Sequence, residues 1–322
     1  DFDRAVEEFS VKAEKLGKNV AYTTIGIADK LVDFVGSFID TNSFNVFGKF
    51  KAVEKVHEVE NVNEGMELKV EGINGNILVK KHTENKIIIK TLIRSPLDNA
   101  DEILEFSSDE KTILLKCNKI GNISVSHELF LPAVKLQSIN LATKNGKIYV
   151  EDSLSCNFEA VTSNSNVDLM GVSSDKVNVT TKNARIQLGY IIGKSINVNT
   201  DNSIIDIKHI KTEMLNAVTR NGRIMIENIH NYQDSNEIDL NIKTANAGIK
   251  VNMNDMEKRG YKIKANTTNG EINLLIPEIT YRNMSKQMNN SFVEAESNGY
   301  DNFEQKVNIT AETINGYIEI VK

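Results

Sequence analysis

The chain has 322 residues, including 40 asparagines, only 3 prolines and no tryptophan. An apolar fraction of 40% and a charged fraction of 25% exclude a largely disordered chain, and the length is sufficient for about one to three domains. The net charge of −6 and the pI of about 5.6 argue against a dedicated nucleic-acid-binding protein, and no apolar run is long enough for a transmembrane segment.

Residues 1–40 carry apolar side chains at the spacing of an amphipathic helix. Charged side chains occupy the opposite face, among them Glu7, Lys15 and Lys18. This pattern predicts a helical segment that docks on its own domain or on a second copy, with a membrane-surface helix as the alternative. The apolar stripe consists of Phe2, Val6, Phe9, Ala13, Leu16, Val20, Ile27, Leu31, Phe34 and Phe38.

Residues 41–64 contain several Asn and Gly residues and are predicted to be a linker that leads into strands. Residues 65–138 contain apolar segments at 86–93, 111–116 and 122–130, which indicate strands without a regular repeat. We expect this region to form irregular first coils or a capping β region, because the end of a stacked β structure is an open edge.

Residues 139–322 contain a repeat with a period of about 19 residues. A Thr-x-Asn-small signature occurs eight times, and each copy has apolar residues three and five positions after the asparagine. The residue directly after the asparagine is Gly, Ser or Ala in every copy. The eight asparagines are Asn145, Asn164, Asn183, Asn202, Asn221, Asn246, Asn269 and Asn315.

Each copy contains two alternating strands on either side of a corner at the asparagine. The inward positions change parity at this corner, and a left-handed Asn conformation is expected to produce the change. A row of antiparallel hairpins and a β-solenoid with one coil per copy both fit the pattern. The short return segments favour a mainly β, parallel β-solenoid (a β-helix), which we expect to be right-handed. Stacked coils would place the asparagines in an amide ladder and the threonines in a hydroxyl ladder.

The solenoid region has a long insertion at about 275–308, between the last two copies of the signature. An insertion of this kind forms either a partner-binding flap or a cover over the last coil. Its aromatic and methionine residues are the candidate partner loop, which consists of Tyr281, Met284, Met288, Phe292, Tyr300 and Phe303.

Basic residues flank the corner asparagine in alternate copies. Stacking would align them in a discontinuous stripe, which Asp201 interrupts. The stripe is either a solvated edge that prevents edge-to-edge association or a candidate site for an anionic envelope polymer or lipid. Its residues are Lys144, Lys147, Lys182, Arg185, Arg220 and Arg223.

Signatures of catalysis and metal binding are weak. Asp168 and Asp206 occupy one outward column two copies apart, near the outer separation limit of an inverting carboxylate pair, with Gln187 between them. The cysteines Cys117 and Cys156 and the five histidines show no metal-ligand spacing, and no nucleotide-binding or hydrolase motif occurs. We therefore predict a non-enzymatic protein without a cofactor or metal.

The Thr-x-Asn-Gly-x-Ile-x-Val repeats over about 66–322, with the opening run 70–79, resemble the bacterial β-strand-repeat domain family labelled "putative adhesin". The preceding helix is similar to the middle segment of LiaX- and YvlB-like proteins of Gram-positive bacteria. The resemblance implies a non-enzymatic role at the cell envelope, in envelope stress or antimicrobial-peptide sensing, on either face of the membrane. It implies an envelope or membrane signalling protein as partner, or self-association through the N-terminal helix. No nucleic acid is expected, and the family offers no catalytic residues.

Overall fold

The structure is a computed structural model that describes residues 51–96, 102–118, 121–253, 258–287 and 290–322. The predicted helix of residues 1–40 lies outside these ranges and stays a prediction. The described part consists almost entirely of β-strands, which confirms the mainly β class. Within it, no helix is long and apolar enough to cross a membrane.

Seven strands form the first part of the described chain. They are β1 Lys51–Glu60, β2 Glu67–Glu71, β3 Ile77–Lys81, β4 Lys86–Ser95, β5 Leu104–Ser108, β6 Thr112–Cys117 and β7 Ser124–Leu131. The pairs β1–β4, β4–β7 and β5–β6 are antiparallel, whereas β2 pairs with β6 and β3 pairs with β7 in parallel. Residues 65–138 thus contain both coils and antiparallel strands that cover them.

The predicted linker 41–64 is partly a strand, because β1 occupies its second half. Val53, His57 and Val59 are less exposed than the residues beside them, which gives β1 the period of a half-buried strand. The alternation is hidden in the sequence because Lys55 and His57 take inward positions, whereas the apolar Val56 between them is exposed. The structure therefore extends the covering strands further toward the N-terminus than composition indicates.

Eighteen further strands build the regular repeat and its insertion. They are β8 Leu136–Ala142, β9 Ile148–Val150, β10 Ser153–Val161, β11 Val167–Met170, β12 Val172–Thr180, β13 Ile186–Ile192, β14 Ser195–Asn199, β15 Ile205–Thr212, β16 Met214–Val218, β17 Ile224–Asn231, β18 Glu237–Lys243, β19 Ile249–Asn252, β20 Arg259–Thr267, β21 Ile272–Leu275, β22 Ile279–Gln287, β23 Asn290–Ser297, β24 Gln305–Thr313 and β25 Ile318–Val321. A single 3-10 turn covers Tyr300–Asn302.

Equivalent residues of successive coils pair in parallel, as a solenoid requires. Val167, Ile186, Ile205 and Ile224, which are nineteen residues apart, stand in one row across four strands. The return segments also pair, so that Ile191 lies opposite Ile210 and each coil has three faces. We call the strands before the corner asparagine the pre-corner face and those after it the post-corner face. The predicted right-handed coiling stays a prediction.

The inward columns of all faces form one continuous apolar core. Its Val, Ile and Leu side chains are almost completely buried, from Leu68 in an early coil to Ile320 in the last strand of the chain. Equivalent core residues of neighbouring coils stand opposite each other in parallel register. Burial of apolar surface therefore stabilises neighbouring coils together rather than singly.

The corner asparagines form an amide ladder along the solenoid. Each donates its Nδ2 to the Oδ1 of the asparagine in a neighbouring coil, at 2.7 Å from Asn183 to Asn164 and from Asn202 to Asn183. Asn74 begins the ladder, which then runs in space through Asn145, Asn164, Asn183, Asn202, Asn221, Asn246, Asn315 and Asn269.

The threonines two residues before the asparagines are buried, but they do not form the predicted hydroxyl ladder. Each hydroxyl donates instead to the backbone carbonyl of the small residue in the neighbouring coil. Thr200 Oγ1 lies 3.2 Å from the Ala184 oxygen, and Thr219 Oγ1 lies 3.1 Å from the Ser203 oxygen. The threonine column therefore provides hydrogen bonds to corner carbonyls at the edge of the core, where an unpaired polar group would be destabilising.

The left-handed backbone that was predicted at the asparagine corner occurs at another corner. None of the eight repeat asparagines has a positive φ, and only Asn74 of the ladder does, with a φ of 50°. The corner between the post-corner face and the return segment carries Gly171, Tyr190, His209 and Asn228, with φ between 54° and 71°. These four residues are nineteen positions apart and of four different types. The sequence therefore gives no repeated residue that would identify the left-handed position.

The coils at both ends are stacked out of sequence order. The coil of β2 and β3 lies between the coil of β6 and β7 and the coil of β8 and β9. At the other end, β24 and β25 lie between the coil of β18 and β19 and the coil of β20 and β21. The last repeat of the sequence is thus an inner coil, and the coil of β20 and β21 is the terminal one.

Glycine after the corner asparagine is needed where the coils approach most closely. A Cβ on Gly222 would lie 1.6 Å from the carbonyl oxygen of Ser203. Gly222→Ala should therefore lower the free energy of unfolding by about 1–3 kcal/mol, because the backbone must shift. Ser203 already carries a Cβ at the equivalent position, so Ser203→Ala should change it by less than about 0.5 kcal/mol. Urea unfolding followed by circular dichroism measures both, and equal effects would contradict this explanation.

The N-terminal strands contain a buried histidine, His127 on β7. Its Nδ1 lies 2.9 Å from Thr91 Oγ1, and its Nε2 lies 2.9 Å from the carbonyl oxygen of Glu71. The carbonyl only accepts, so Nε2 carries the proton and Nδ1 accepts from the threonine hydroxyl. Burial lowers the pKa of His127 from 6.5 to about 4, with a smaller contribution from His57.

This lowered pKa makes stability depend on pH. The unfolded chain binds a proton at His127 near pH 6.5 and the folded chain only near pH 4, so the stabilisation present at pH 7 is lost as the pH falls between these values. The loss from this one group should reach about 3 kcal/mol. Urea midpoints at pH 7 and pH 4.5 should therefore differ more for the parent than for His127→Gln. An identical pH dependence in both proteins would exclude His127 as its source.

Candidate functional site

The basic residues of the predicted stripe are divided into two columns by the amide ladder. The first column precedes the asparagines on the pre-corner side, and the second follows them on the post-corner side. Successive members are two coils apart, which is about 9.6 Å at the usual strand spacing. The first column consists of Lys144, Lys182 and Arg220, and the second consists of Lys147, Arg185 and Arg223.

Asp168 forms an ion pair with one member of the second column and lies at the limit of salt-bridge distance from another. Its Oδ2 lies 2.6 Å from Lys147 Nζ, and its Oδ1 lies 4.0 Å from Nη2 of Arg185. Asp168 is only 9% exposed, so the ion pair with Lys147 is partly shielded from solvent. The protein therefore neutralises part of the second column itself, and only Arg223 in that column lacks a carboxylate within salt-bridge distance among the described residues.

The first column differs because no carboxylate of the described chain lies within salt-bridge distance of its three exposed side chains. Asp201 is the intervening residue between Lys182 and Arg220, and Ser163 is the intervening residue between Lys144 and Lys182. A cation therefore stands on every second coil from Lys144 to Arg220, and the coils between carry Ser163 and Asp201. Three cations are available there for an external anion.

A shallow groove of about 910 Å³ runs along the pre-corner face beside the first column. One wall is formed by outward side chains three residues before the asparagines, the other by the row that contains the first column, and the floor by the buried threonines. It extends over seven coils, which corresponds to about 29 Å along the solenoid axis. We call this feature the corner groove. Thr180, Asn199 and Val218 on one wall face the row of Lys182, Asp201 and Arg220.

The candidate carboxylate pair has the predicted register but not the geometry of an active site. Asp168 and Asp206 lie in parallel register two strands apart, with Gln187 between them. The carboxylate of Asp168 is occupied by Lys147. Oδ1 of Asp206 is buried and has no hydrogen-bond partner among the described residues. Hydrolysis of a glycosidic bond needs two accessible carboxyl groups that face one bond, and this arrangement does not supply them.

The insertion forms a hairpin that covers one edge of the terminal coil. Strands β22 and β23 pair antiparallel, and β23 continues the pre-corner face by pairing antiparallel with β20. Tyr300 and Phe303 of the candidate partner loop pack against the solenoid. The Tyr300 hydroxyl donates to Asn308 Oδ1 at 2.6 Å, and the Phe303 ring lies against Gly260.

The other residues of the candidate partner loop are not brought together with these two. Tyr281 and Met284 lie on the edge strand β22 and are 49% and 68% exposed. Phe292 lies on β23, with Lys264 Nζ 5.6 Å from the centre of its ring. Met288 lies outside the described residues. The insertion is therefore a cover whose outer strand exposes Tyr281 and Met284, and partner binding through it stays a prediction.

The post-corner edge of the terminal coil is uncovered in the described structure. Strand β21 pairs only with β25 among the described strands. Its inward residues Ile272 and Leu274 are half-buried, whereas the equivalent residues of the other coils are fully buried. Leu275 beside them is 59% exposed. We call these three residues the apolar rim.

The two cysteines are free thiols, and Cys117 is the less reactive type of thiol, with a raised pKa. Cys117 Sγ donates to the carbonyl oxygen of Glu71 at 3.1 Å. Burial, and to a smaller extent the Glu71 carboxylate, raise the pKa of the Cys117 thiol to about 12, so it is not nucleophilic at neutral pH. Across the described ranges, no group of three His, Cys, Asp or Glu side chains is placed to hold a metal ion.

Sequence reasoning missed the corner groove and the apolar rim. The wall of outward residues carries no repeated residue type, so its alignment with the basic row is visible only after the coils are stacked. The apolar rim is hidden because Ile272 and Leu274 fit the buried columns of the repeat. The length of the insertion was the available signal. A long insertion lets the chain return from the terminal coil to an inner coil, and the terminal coil then has an exposed edge.

Two solved structures align with most of the chain at low identity and low TM-score. A "putative cell adhesion protein" from Clostridium sporogenes is 15% identical, with a TM-score of 0.27 over 84% of this chain and 99% of that one. A "putative adhesin" from Bacteroides fragilis is 12% identical, with a TM-score of 0.39 over 84% of this chain and 97% of that one. None of the curated proteins matches the sequence significantly. The profile of the Toastrack DUF4097 family matches residues 60–317, which is most of the chain, and the protein therefore belongs to the Toastrack DUF4097 family.

Proposed function

We propose that the protein is a non-enzymatic scaffold of the bacterial cell envelope that binds a protein partner through the uncovered end of its solenoid. The partner class is an envelope or membrane signalling protein, and the process is the response to envelope stress or antimicrobial peptides. The N-terminal segment 1–40 contributes a second contact, either to this partner or to another copy of the chain.

The observation that carries this proposal is the exposed apolar surface at the terminal coil. Ile272, Leu274 and Leu275 of the apolar rim lie on the same end of the molecule as Tyr281 and Met284 of the hairpin. Contiguous exposed apolar surface is characteristic of interaction sites, and aromatic residues and methionine are enriched in them. The absence of an accessible carboxyl pair at Asp168 and Asp206 supports binding rather than glycan hydrolysis.

A photo-crosslinking amino acid at position 284, in the full chain expressed in a bacterium, tests the proposed surface. It should give one major adduct with an envelope protein, identified by mass spectrometry. The same amino acid at position 214 is the matched control, because Met214 is 42% exposed on the side of the solenoid. Adducts of the same identity at both positions, or none at position 284, would argue against the terminal coil as the binding surface.

A second test concerns the N-terminal segment. Phe9→Glu places a charge in the predicted apolar stripe, whereas Glu8→Gln changes the predicted polar face. If the segment mediates assembly, Phe9→Glu should shift the sedimentation coefficient of the full chain toward that of a monomer and Glu8→Gln should not. Unchanged sedimentation in both variants, with the circular dichroism of the β-domain intact, would remove self-association through this segment.

A second candidate function is direct binding of an anionic envelope polymer or lipid. It is favoured by the first column, whose three cations have no internal carboxylate partner in the described structure. Replacing Lys182, Arg185, Arg220 and Arg223 with Gln should weaken salt-sensitive binding to vesicles with anionic lipids, since Coulomb attraction at a surface scales with these charges. Equal binding by the parent and the fourfold variant would reject this candidate.

A further inference from the structure

We propose that the corner groove is a binding site for a linear acidic polysaccharide with one carboxylate on every second sugar. The proposal rests on the second candidate function, anion binding, and names its site and its ligand class. The solenoid presents the groove as a continuous channel of about 29 Å with a step of about 4.8 Å per coil. A linear polymer that lies along it meets the same side-chain positions at every step.

The charges in the groove favour a polymer in which charged and neutral units alternate over a polymer that is charged at every unit. Lys182 and Arg220 are separated by two coils, and the coil between them contributes Asp201. A polymer with a charge opposite every coil would place an anion beside the Asp201 carboxylate and be repelled there. A polymer with an acid on every second unit places its anions at the two cations and a neutral unit at Asp201. Repulsion of this kind is a common source of specificity.

Several groups beside these charges fit sugar hydroxyls. Thr180 and Asn199 on one wall are exposed hydroxyl and amide groups, and Asp201 on the other is an acceptor for a hydroxyl donor. Val218, at 36% exposure, offers an apolar surface for the faces of sugar rings. A sugar ring in an extended chain is about as long as one coil spacing, so one ring per coil stays in step over several coils.

Other linear polymers fit less well. A peptide strand would need unpaired backbone groups, but the strands that form the groove wall pair with a neighbour on both sides, as β14 does with β12 and β16. A single-stranded nucleic acid would need aromatic side chains for base stacking, and none lines the groove. A double-stranded nucleic acid would need a denser set of cations than Lys182, Arg220 and Lys243, the last of which is paired with Glu312 at 3.1 Å.

The test compares two double variants with the same change of net charge on either side of the amide ladder. Lys182→Gln with Arg220→Gln removes the cations of the groove, and Arg185→Gln with Arg223→Gln removes two cations of the second column. The probe is hyaluronan, which carries a carboxylate on every second sugar, and calorimetry at moderate salt measures its binding to the full chain. The groove variant should bind roughly 10-fold more weakly or worse, since charge-assisted hydrogen bonds are lost. The second-column variant should lose less than about threefold, because neither Arg185 nor Arg223 lines the groove.

A blocking variant tests the groove without any change in charge. Asn199→Trp fills one wall and should abolish hyaluronan binding, whereas Ile204→Trp between Arg185 and Arg223 should leave it within about threefold. Circular dichroism shows whether each variant remains folded. Equal losses in the two double variants, or undiminished binding by Asn199→Trp, would overturn the groove as the site.

Two further measurements separate the polysaccharide from anion binding in general. Polygalacturonate carries a carboxylate on every sugar, so the parent should prefer hyaluronan, and Asp201→Lys should reverse this preference. An unchanged ratio in Asp201→Lys would contradict the role of charge alternation. Binding to anionic vesicles without binding to hyaluronan would overturn the polysaccharide proposal and leave the second candidate function standing. No binding to either probe would reject both.

Discussion

The close and regular approach of neighbouring coils at the asparagine corner is the constraint on which the rest of the structure depends. Thr200 Oγ1 reaches the Ala184 carbonyl and Asn202 Nδ2 reaches Asn183 Oδ1 only if the coils are in register. Where the coils approach most closely, glycine after the asparagine allows the approach, because a Cβ on Gly222 would meet the neighbouring carbonyl. A shift of one residue would exchange the inward and outward columns and break both hydrogen bonds.

This register converts a period in the sequence into a straight row of side chains on the surface. Residues nineteen positions apart become neighbours about 4.8 Å apart, so alternate cations become a row with a fixed spacing. The same register brings Asp168 to Lys147 and so makes the two basic columns unequal. The corner groove is a consequence of the stacking, since its floor is the threonine column and its walls are the outward positions on either side.

At the ends of the solenoid, the coils do not stack in the order of the sequence. The coil of Asn315 can stack on any coil with the same signature. In the structure it lies between the coils of Asn246 and Asn269. The chain therefore passes out to the terminal coil, forms the hairpin of β22 and β23 and returns to complete the interior. One edge of the terminal coil is covered by this hairpin, and the described residues leave the other as the apolar rim of Ile272, Leu274 and Leu275. The proposed protein-binding surface thus follows from the order of the coils.

The sequence by itself determined the mainly β class, the corner at each asparagine and the buried columns, because each is a short-range pattern repeated in eight copies. The sequence placed the stripe residues in rows, but it could not show the ion pair between Asp168 and Lys147. These two residues belong to different coils and different outward columns, which become neighbours only after stacking. It assigned the left-handed backbone to the wrong corner, because Gly171, Tyr190, His209 and Asn228 share a conformation without sharing a residue type. Only the tertiary structure decided which coils are neighbours at the ends. Because the signatures are alike, any two coils could pair locally, and the choice depends on the covering strands and on the length of the connections.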